Sequence, residues 1–327
     1  MNKIIYIFFI VITLISCNNN KEKEKPANTK IRVGYLYEFA GSSAVAIAKE
    51  KGFFEEENLD AELFEFFNGH AAILSMMSKE VDFTYIGHAA HSLIINGEVQ
   101  ILIPNGISKG EKIITGNWTG INSISDLKGK TVATHLGTSG ETMLNVALKN
   151  NNIKLQDINL TNINITNLAN VLINKKVDAV STWDPYTREI TDQIPNDYKL
   201  LADITDYSNE IILTSSFVST SEYINNYPDI AKRFSRAILK AMDYRKNNLY
   251  EAAELTAKLT GNDIKSVKNE IDASILFSSS DIKNAYTSGE ILRWYEIQQN
   301  IFLDSKVIKE TIPVTNYIQL SMLTNIL

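Results

Sequence analysis

The order of apolar and polar positions along the chain predicts two copies of a strand–helix–strand–helix–strand unit. The first unit occupies residues 31–35, 42–48, 61–66, 71–78 and 81–86. The second occupies residues 131–134, 141–148, 158–165, 168–175 and 176–182. Parallel units of this kind normally form separate lobes, with ligands outside the carboxyl ends of their strands. The predicted fold class is therefore α/β, with two lobes that each hold a mixed β-sheet flanked by helices, and a ligand cleft between them.

The stretch DLKGKTVATHLGTSGE at residues 126–141 predicts a turn, a strand, a loop and the start of a helix. Thr138 and Glu141 have the spacing of a helix N-cap with its capping box. We predict further helix starts at Ser42-Ser43 and at Asn68-Gly69. A helix N-terminus presents free N–H groups and the positive end of a dipole, which favours an anion.

Most of the remaining chain has helical spacing of apolar residues. Predicted helices follow Pro228 and lie at residues 252–260, 264–276 and 291–303. Their expected role is packing on the first lobe.

The first 30 residues predict export rather than part of the fold. Residues 4–15 form an apolar run that is too short for a membrane span of roughly 20 residues but suits a signal peptide. The sequence LISC at 14–17 resembles a bacterial lipobox, which implies cleavage before Cys17 and lipidation of that cysteine. The alternative is a cleaved secretory signal with an incidental cysteine. We expect a signal peptide at 1–16, a lipidated tether at 17–30, and an anchor on the outer face of the bacterial cell membrane or in the periplasm.

Charge and cysteine content exclude several classes of protein. The net charge is −6, and residues 1–30 carry +3, so the globular part carries −9. An acidic body without a basic stripe argues against nucleic-acid binding. Cys17 is the single cysteine of the 327 residues, so no intrachain disulfide can form.

Six short motifs together resemble ABC-transporter substrate-binding proteins of the nitrate, sulfonate and taurine family, which have the periplasmic-binding-protein type II fold. They are VGY at 33–35, AKEKGFFE at 48–55, FFNG at 66–69, DLKGKTVA at 126–133, VDA at 177–179 and WDPY at 183–186. The resemblance implies a monomer that delivers a small solute to ABC permease subunits, catalyses nothing and holds no cofactor. It also implies two crossings between lobes, for which residues 112–115 and 210–218 are suitable. Lobe 1 would then be residues 31–115 plus 212–327, and lobe 2 residues 116–211.

Residues near the predicted helix starts and strand ends are the candidate ligand contacts. They are Tyr37, Ser42, Ser43, Asn68, Gly69, His70, Gly87, His88, Thr138, Ser139, Trp183, Asp184 and Tyr186. The predicted ligand is a small anion, because helix dipoles and hydroxyls dominate these loops and they contain no Arg or Lys. Trp183 and Tyr186 would cover an organic tail, which favours an aliphatic sulfonate or taurine over nitrate.

Several alternatives remain open at this point. Glu38 and Asp184 are acids near the predicted pocket, and they would suit a ligand with an amine. His70, His88 and His135 fall near strand ends and permit a metal site, although the family resemblance implies none. Hydroxymethylpyrimidine synthase, an enzyme with this scaffold, carries a cysteine-rich motif that the chain lacks. One further candidate is a binding protein for that pyrimidine, which is a thiamine precursor. Another is a sensor lipoprotein.

Overall fold

The computed structural model describes residues 28–208 and 210–326. The predicted signal peptide, Cys17 and most of the tether lie outside the described residues. Within them, the strands are β1 (Thr29–Leu36), β2 (Leu59–Phe66), β3 (Phe83–Ile86), β4 (Val99–Ser108), β5 (Lys112–Gly116), β6 (Thr131–Thr134), β7 (Asn159–Asn162), β8 (Ala179–Thr182), β9 (Tyr198–Asp203), β10 (Thr214–Thr220) and β11 (Ser274–Leu276). The α-helices are α1 (Phe39–Glu50), α2 (Phe53–Glu56), α3 (Gly69–Met77), α4 (Ser139–Asn150), α5 (Leu168–Ile173), α6 (Tyr186–Gln193), α7 (Ser221–Asn226), α8 (Pro228–Asn247), α9 (Leu249–Thr260), α10 (Ile264–Asn269), α11 (Ser279–Thr287), α12 (Glu290–Asp304) and α13 (Leu320–Ile326).

Two mixed sheets confirm the predicted fold class. The first sheet has the strand order β11-β4-β10-β3-β1-β2 and forms lobe 1. Strand β1 pairs in parallel with β2 and β3, while β10 runs antiparallel to both β3 and β4. Helix α8 covers this sheet, and its Phe234 stacks on Phe83 of β3 with 4.0 Å between ring centroids.

The second sheet has the order β7-β6-β8-β5-β9 and forms lobe 2. Neighbouring residues of a strand in this sheet point to opposite faces. Ile113 and Ile114 of β5 therefore belong to two separate apolar clusters, one on each face. The central strands β6, β8 and β5 are buried on both sides because helices and loops cover both faces, whereas the edge strand β7 is polar and partly exposed.

The strands place the first crossing between lobes earlier than residue 115. Lys112–Gly116 pairs with β8 and β9, so the chain leaves lobe 1 between Ser108 and Lys112. The predicted boundary was wrong because an apolar run does not reveal which of two sheets it joins. The return lies between Asp203 and Thr214, where β10 rejoins lobe 1.

Residues 264–276 were predicted as one helix, and this was wrong. The structure has helix α10, a 3₁₀ turn at Ile271–Ala273 and strand β11 in this stretch. Val267, Ile271 and Ile275 recur every four residues, which imitates a helix in sequence although Ile275 extends the edge of the first sheet.

Helix α1 begins three residues before the predicted start at Ser42-Ser43. Glu38 is its N-cap, and the Glu38 carbonyl accepts the N–H groups of Gly41 and Ser42. Every residue from Gly41 to Ala48 is buried, so no exposed face marks where the helix begins.

Among the described residues, no helix combines the length and the apolar composition needed to cross a membrane.

Candidate functional site

A cavity lies between the facing edges of the two sheets, where the strands of both lobes have their carboxyl ends. Its volume is about 70 Å³, which exceeds the roughly 10–15 Å³ that one water molecule needs. Nine of the thirteen candidate contacts line it: Asn68, Gly69, His70, Gly87, His88, Thr138, Ser139, Trp183 and Asp184. The two lobes therefore bring separate parts of the sequence to one enclosed space.

The other four candidates do not line this cavity. Ser42 and Ser43 are fully buried in the second turn of α1, where the Ser42 hydroxyl donates to the Glu38 carbonyl. The Ser43 hydroxyl accepts from the buried Arg245 guanidinium, with 3.0 Å between Nη1 and Oγ. Tyr37 and Tyr186 line an adjoining surface cleft instead. Burial of α1 on all sides is the reason that the two serines cannot reach a ligand.

The N-termini of α3 and α4 face the cavity from different lobes. Asn68 caps α3 by accepting from the Ala71 N–H at 2.9 Å. Thr138 occupies the N-cap of α4, but its hydroxyl donates to the His135 carbonyl at 2.6 Å instead of capping the helix. The Glu141 carboxylate accepts from the Gly137 N–H at 2.7 Å, so the predicted capping box does not form. The first N–H groups of both helices have no intrahelical acceptor and remain as donors.

His88 contributes a further donor to the cavity. The Gln298 side-chain amide donates to His88 Nδ1 at 2.9 Å, so the ring proton sits on Nε2. Burial lowers the pKa of His88 well below its usual value, and the ring is neutral. Only 3% of the residue is exposed, and Nε2 has no hydrogen-bond partner in the part of the chain that the structure describes. A buried donor without a partner is uncommon, and this one lies in the wall of a cavity.

Four carboxyl groups also line the cavity, from Glu38, Glu111, Asp184 and Glu270. The sequence argument did not place Glu111 or Glu270 among the candidates. Glu111 lies in the crossing segment just before β5, and Glu270 lies between α10 and the 3₁₀ turn that follows. The signal that could have found Glu111 is its position in a crossing, because both crossings pass the edge of the cleft.

Burial raises the pKa of three of these carboxyls, and the hydrogen bonds and charges around them lower it by less. The pKa of Glu38 rises to about 7 because of burial and then repulsion from Glu111. The pKa of Glu270 rises to about 8 because of burial and then repulsion from Glu38 and Asp184. Burial also raises the pKa of Glu111, although the Ser108 hydroxyl donates to its carboxylate at 2.8 Å. In the part of the chain that is described, none of the three glutamates forms an ion pair.

Asp184 differs because cations balance its charge. Its Oδ2 lies 3.3 Å from Arg188 Nε and 3.9 Å from Lys112 Nζ, and the Thr187 hydroxyl donates to Oδ1. Burial still raises the pKa of Asp184. No Arg or Lys appears among the described residues of the cavity wall itself.

The lobes touch across the mouth of the cavity. Gly137 of lobe 2 has a φ of +76°, and a Cβ built there would lie 3.4 Å from Cε1 of His70 in lobe 1. Lys149 of α4 forms an ion pair of 2.7 Å with Asp304 of α12, again between the lobes. The two lobes therefore approach each other closely at both of these places.

Within residues 28–208 and 210–326, no three His, Cys, Asp or Glu side chains converge in metal-binding geometry. The structure does not bring His70, His88 and His135 together as a metal site.

Comparison with known proteins identifies a family. The family model described as "NMT1/THI5 like" matches residues 41–252, which is more than half of the chain. A putative binding protein of Brucella abortus is 28% identical over 290 residues, covering 89% of this chain and 90% of that protein. A putative aliphatic sulfonates-binding protein of Bacillus subtilis is 24% identical, covering 96% of this chain and 93% of that protein.

Solved structures share the fold at low sequence identity. The periplasmic aliphatic sulphonate binding protein SsuA from Escherichia coli has a TM-score of 0.69 and 18% identity, covering 88% of this chain and 91% of that chain. The desulfurization enzyme DSZB has a TM-score of 0.68 and 14% identity, covering 91% of this chain and 98% of that chain. The neighbours therefore include both a binding protein and an enzyme, and both have the periplasmic-binding-protein type of architecture predicted from the sequence.

Proposed function

Because the chain belongs to the NMT1/THI5-like family, we propose that it is the extracytoplasmic solute-binding component of an ABC importer. The observation that carries this proposal is the cavity enclosed by both lobes, whose wall contains Asn68 of one lobe and Thr138 of the other. A two-lobed protein that buries a solute between its lobes can present the closed form to permease subunits. Differential affinity of the ligand for the closed form would drive the closure.

We propose that the solute carries a small, singly charged anionic group of the sulfonate type. Three features support this assignment: the N-terminus of α3, the N-terminus of α4 and the unpartnered Nε2–H of His88. Each helix terminus favours a negative charge by roughly 0.3–1 kcal/mol, and by up to about 2 when partly buried. The sulfonate-binding names of relatives from Bacillus and Escherichia point the same way. A singly charged group suits a cavity wall that supplies neutral donors only.

A hydroxymethylpyrimidine is the second candidate, and the carboxyl groups favour it. Glu38, Glu111 and Glu270 can accept hydrogen bonds from an exocyclic amine or a protonated ring nitrogen. A hydroxymethylpyrimidine would need no anion-binding helix terminus. The sulfonate and the pyrimidine would therefore use different groups of the same cavity.

The proposal excludes catalysis by this chain. The scaffold does not decide the matter, because DSZB is an enzyme with a similar structure. The support is instead that relatives matched over most of their length are named as binding proteins, and that residues 18–327 contain no cysteine nucleophile. We further propose that the protein acts as a monomer, exported and anchored through lipid on Cys17.

Isothermal titration calorimetry of the purified protein tests this function. The compounds are taurine, ethanesulfonate, nitrate, bicarbonate and hydroxymethylpyrimidine. We expect saturable one-to-one binding of a sulfonate and weaker binding of nitrate, which offers no tail for Trp183 to cover. Binding of none of these compounds would contradict the proposed ligand classes, and binding of the pyrimidine alone would overturn the anionic assignment.

A further inference from the structure

Three glutamates, Glu38, Glu111 and Glu270, form what we call the acidic cluster of the cavity. Exposed fractions of 2% for Glu111 and 4% for Glu270 show that these carboxyls are shielded from bulk water. The Glu270 carboxylate accepts one backbone N–H, from Phe39, and the Glu111 carboxylate accepts the Ser108 hydroxyl. Neither contact supplies the positive charge that a buried carboxylate needs.

Grouping these side chains is costly for the protein alone. Each carboxyl loses hydration, and each also repels the others when ionised. Asp184 shows that this fold can neutralise a cavity carboxyl, since Arg188 and Lys112 lie beside it. Lys112 and Arg188 act only from a distance, on Glu111 and Glu270 respectively. Within the described residues neither cation forms an ion pair with the acidic cluster or lines the cavity wall, so a ligand can supply positive charge at closer range.

A second observation indicates that the same cavity is suited to a polar ligand. His88 is buried, neutral and lines the cavity, and its Nε2–H has no acceptor among the described residues. The acidic cluster offers carboxyl oxygens that form no ion pair within the described residues, and His88 offers a donor without an acceptor there. One solute with groups of both kinds would satisfy both sets.

We propose that the solute bound here carries a protonated nitrogen, held by Glu38, Glu111 and Glu270, in addition to the acceptor group that meets His88 and the helix N-termini. This inference rests on the proposed function, because it assigns a second group to the same solute. An organic ammonium or a protonated aminopyrimidine supplies the required chemistry, with N–H donors that charged carboxylates bind strongly.

Calorimetry with a matched pair of ligands tests the inference. Taurine and isethionate have the same sulfonate and the same two-carbon chain, but taurine ends in an ammonium and isethionate in a hydroxyl. We expect taurine to bind at least about tenfold more tightly, because its ammonium forms a charge-assisted contact that the hydroxyl of isethionate cannot form. Repeating the titration in buffers with different heats of ionisation should show that taurine binding releases protons.

Variants then assign the preference to the acidic cluster. Glu38→Gln and Glu270→Gln keep the shape of each side chain, and each should reduce the ratio of taurine to isethionate affinity severalfold. Glu98→Gln is the matched control, since Glu98 is exposed and outside the cavity. It removes one negative charge and should leave the ratio unchanged. Circular dichroism of each variant will confirm folding before titration.

The outcomes separate the two proposals. Equal or tighter binding of isethionate would overturn the protonated nitrogen while leaving the proposed function intact. Binding of hydroxymethylpyrimidine that Glu38→Gln weakens would support the protonated nitrogen and overturn the sulfonate group. Binding of zinc or calcium chloride that competes with these ligands would overturn the organic cation. If no compound of either panel binds, the inference and the ligand classes of the proposed function both fail.

Discussion

The carboxylate of Glu270 accepts a hydrogen bond from the backbone N–H of Phe39, with 2.8 Å between Oε2 and N. Phe39 is the first residue of α1, so a carboxylate of the protein itself already occupies this helix N-terminus. The sequence predicted that α1 would help to bind an anion. The structure instead uses that terminus to hold a glutamate at the cavity wall, which leaves α3 and α4 as the helices that can meet a ligand.

The pH dependence of ligand affinity follows from this arrangement. A solute with a protonated nitrogen binds the ionised forms of Glu38 and Glu270, whose pKa values are raised to about 7 and about 8. Affinity for taurine should therefore rise between pH 6 and pH 9, by up to about tenfold per pH unit for each proton released. The other titratable or charged groups in or beside the cavity include Tyr85, Glu111, Asp184, His70, His88, Lys112 and Arg188.

Calorimetry across this pH range measures the effect. His88 stays neutral throughout because its pKa is lowered, and burial together with His135 also lowers the pKa of His70. Neither histidine should reverse the slope. Affinity that falls as pH rises would indicate that the carboxyls act as protonated donors to an anion.

The stability of the ligand-free protein should show the opposite trend. The pKa values of Glu38 and Glu270 lie above the usual value for glutamate, so the folded state binds more protons than the unfolded state from about pH 4.5 upward. The contribution of Glu38 and Glu270 to the free energy of unfolding is present at low pH and is lost as pH rises through about 7 and 8. Thermal unfolding should give a melting temperature that falls from pH 5.5 to pH 8.5, and Glu38→Gln should flatten that fall. An unchanged slope in the variant would show that Glu38 is not the source.

The contact between the lobes can be tested at Gly137. An alanine there must adopt a positive φ, at a cost of roughly 1–2 kcal/mol, and its Cβ would lie in van der Waals contact with the His70 ring across the cleft, 3.4 Å from Cε1. Gly137→Ala leaves no room for a closer approach of the lobes at this place, so it should weaken ligand binding. Gly129→Ala is the matched control, because Gly129 has a φ of +72° in lobe 2 with no atom within 4 Å of the added Cβ. Equal losses of affinity in both variants would mean that backbone strain, not contact between lobes, causes the effect.

His88 should contribute one hydrogen bond to the ligand. His88→Ala removes the unpartnered Nε2–H donor and should weaken binding by about tenfold. Gln298→Leu leaves the ring in place but frees Nδ1, so that either tautomer can form, and it should cause a smaller loss. Calorimetry of both variants measures these losses. If His88→Ala weakens binding and Gln298→Leu causes no loss at all, the role of His88 is to pack against Phe302, not to donate to a ligand.

Export and anchoring depend on Cys17, which lies outside the described residues. Cys17→Ala should leave the precursor uncut by the lipoprotein signal peptidase and unlabelled by a fatty-acid probe. Normal processing and labelling of this variant would contradict the lipid anchor.

Local sequence signals predicted part of the fold and part of the site. Asn68, Gly69 and Thr138 were predicted because turn and cap residues at helix starts depend on neighbours in sequence. Glu111 and Glu270 were missed because their position depends on the path of the chain between lobes. Ser108 is a local neighbour of Glu111, but Phe39 and Glu38 reach Glu270 from a distant segment of the sequence.

The central claim is that two lobes close over a small solute, and small-angle X-ray scattering tests it most directly. The purified protein is measured alone and with a saturating amount of whichever compound calorimetry identifies as the ligand. The account predicts a smaller radius of gyration with the ligand, because a solute bound in the cavity contacts both lobes and favours the form in which they are together. A radius of gyration that is the same with and without bound ligand in the unmodified protein would contradict the account.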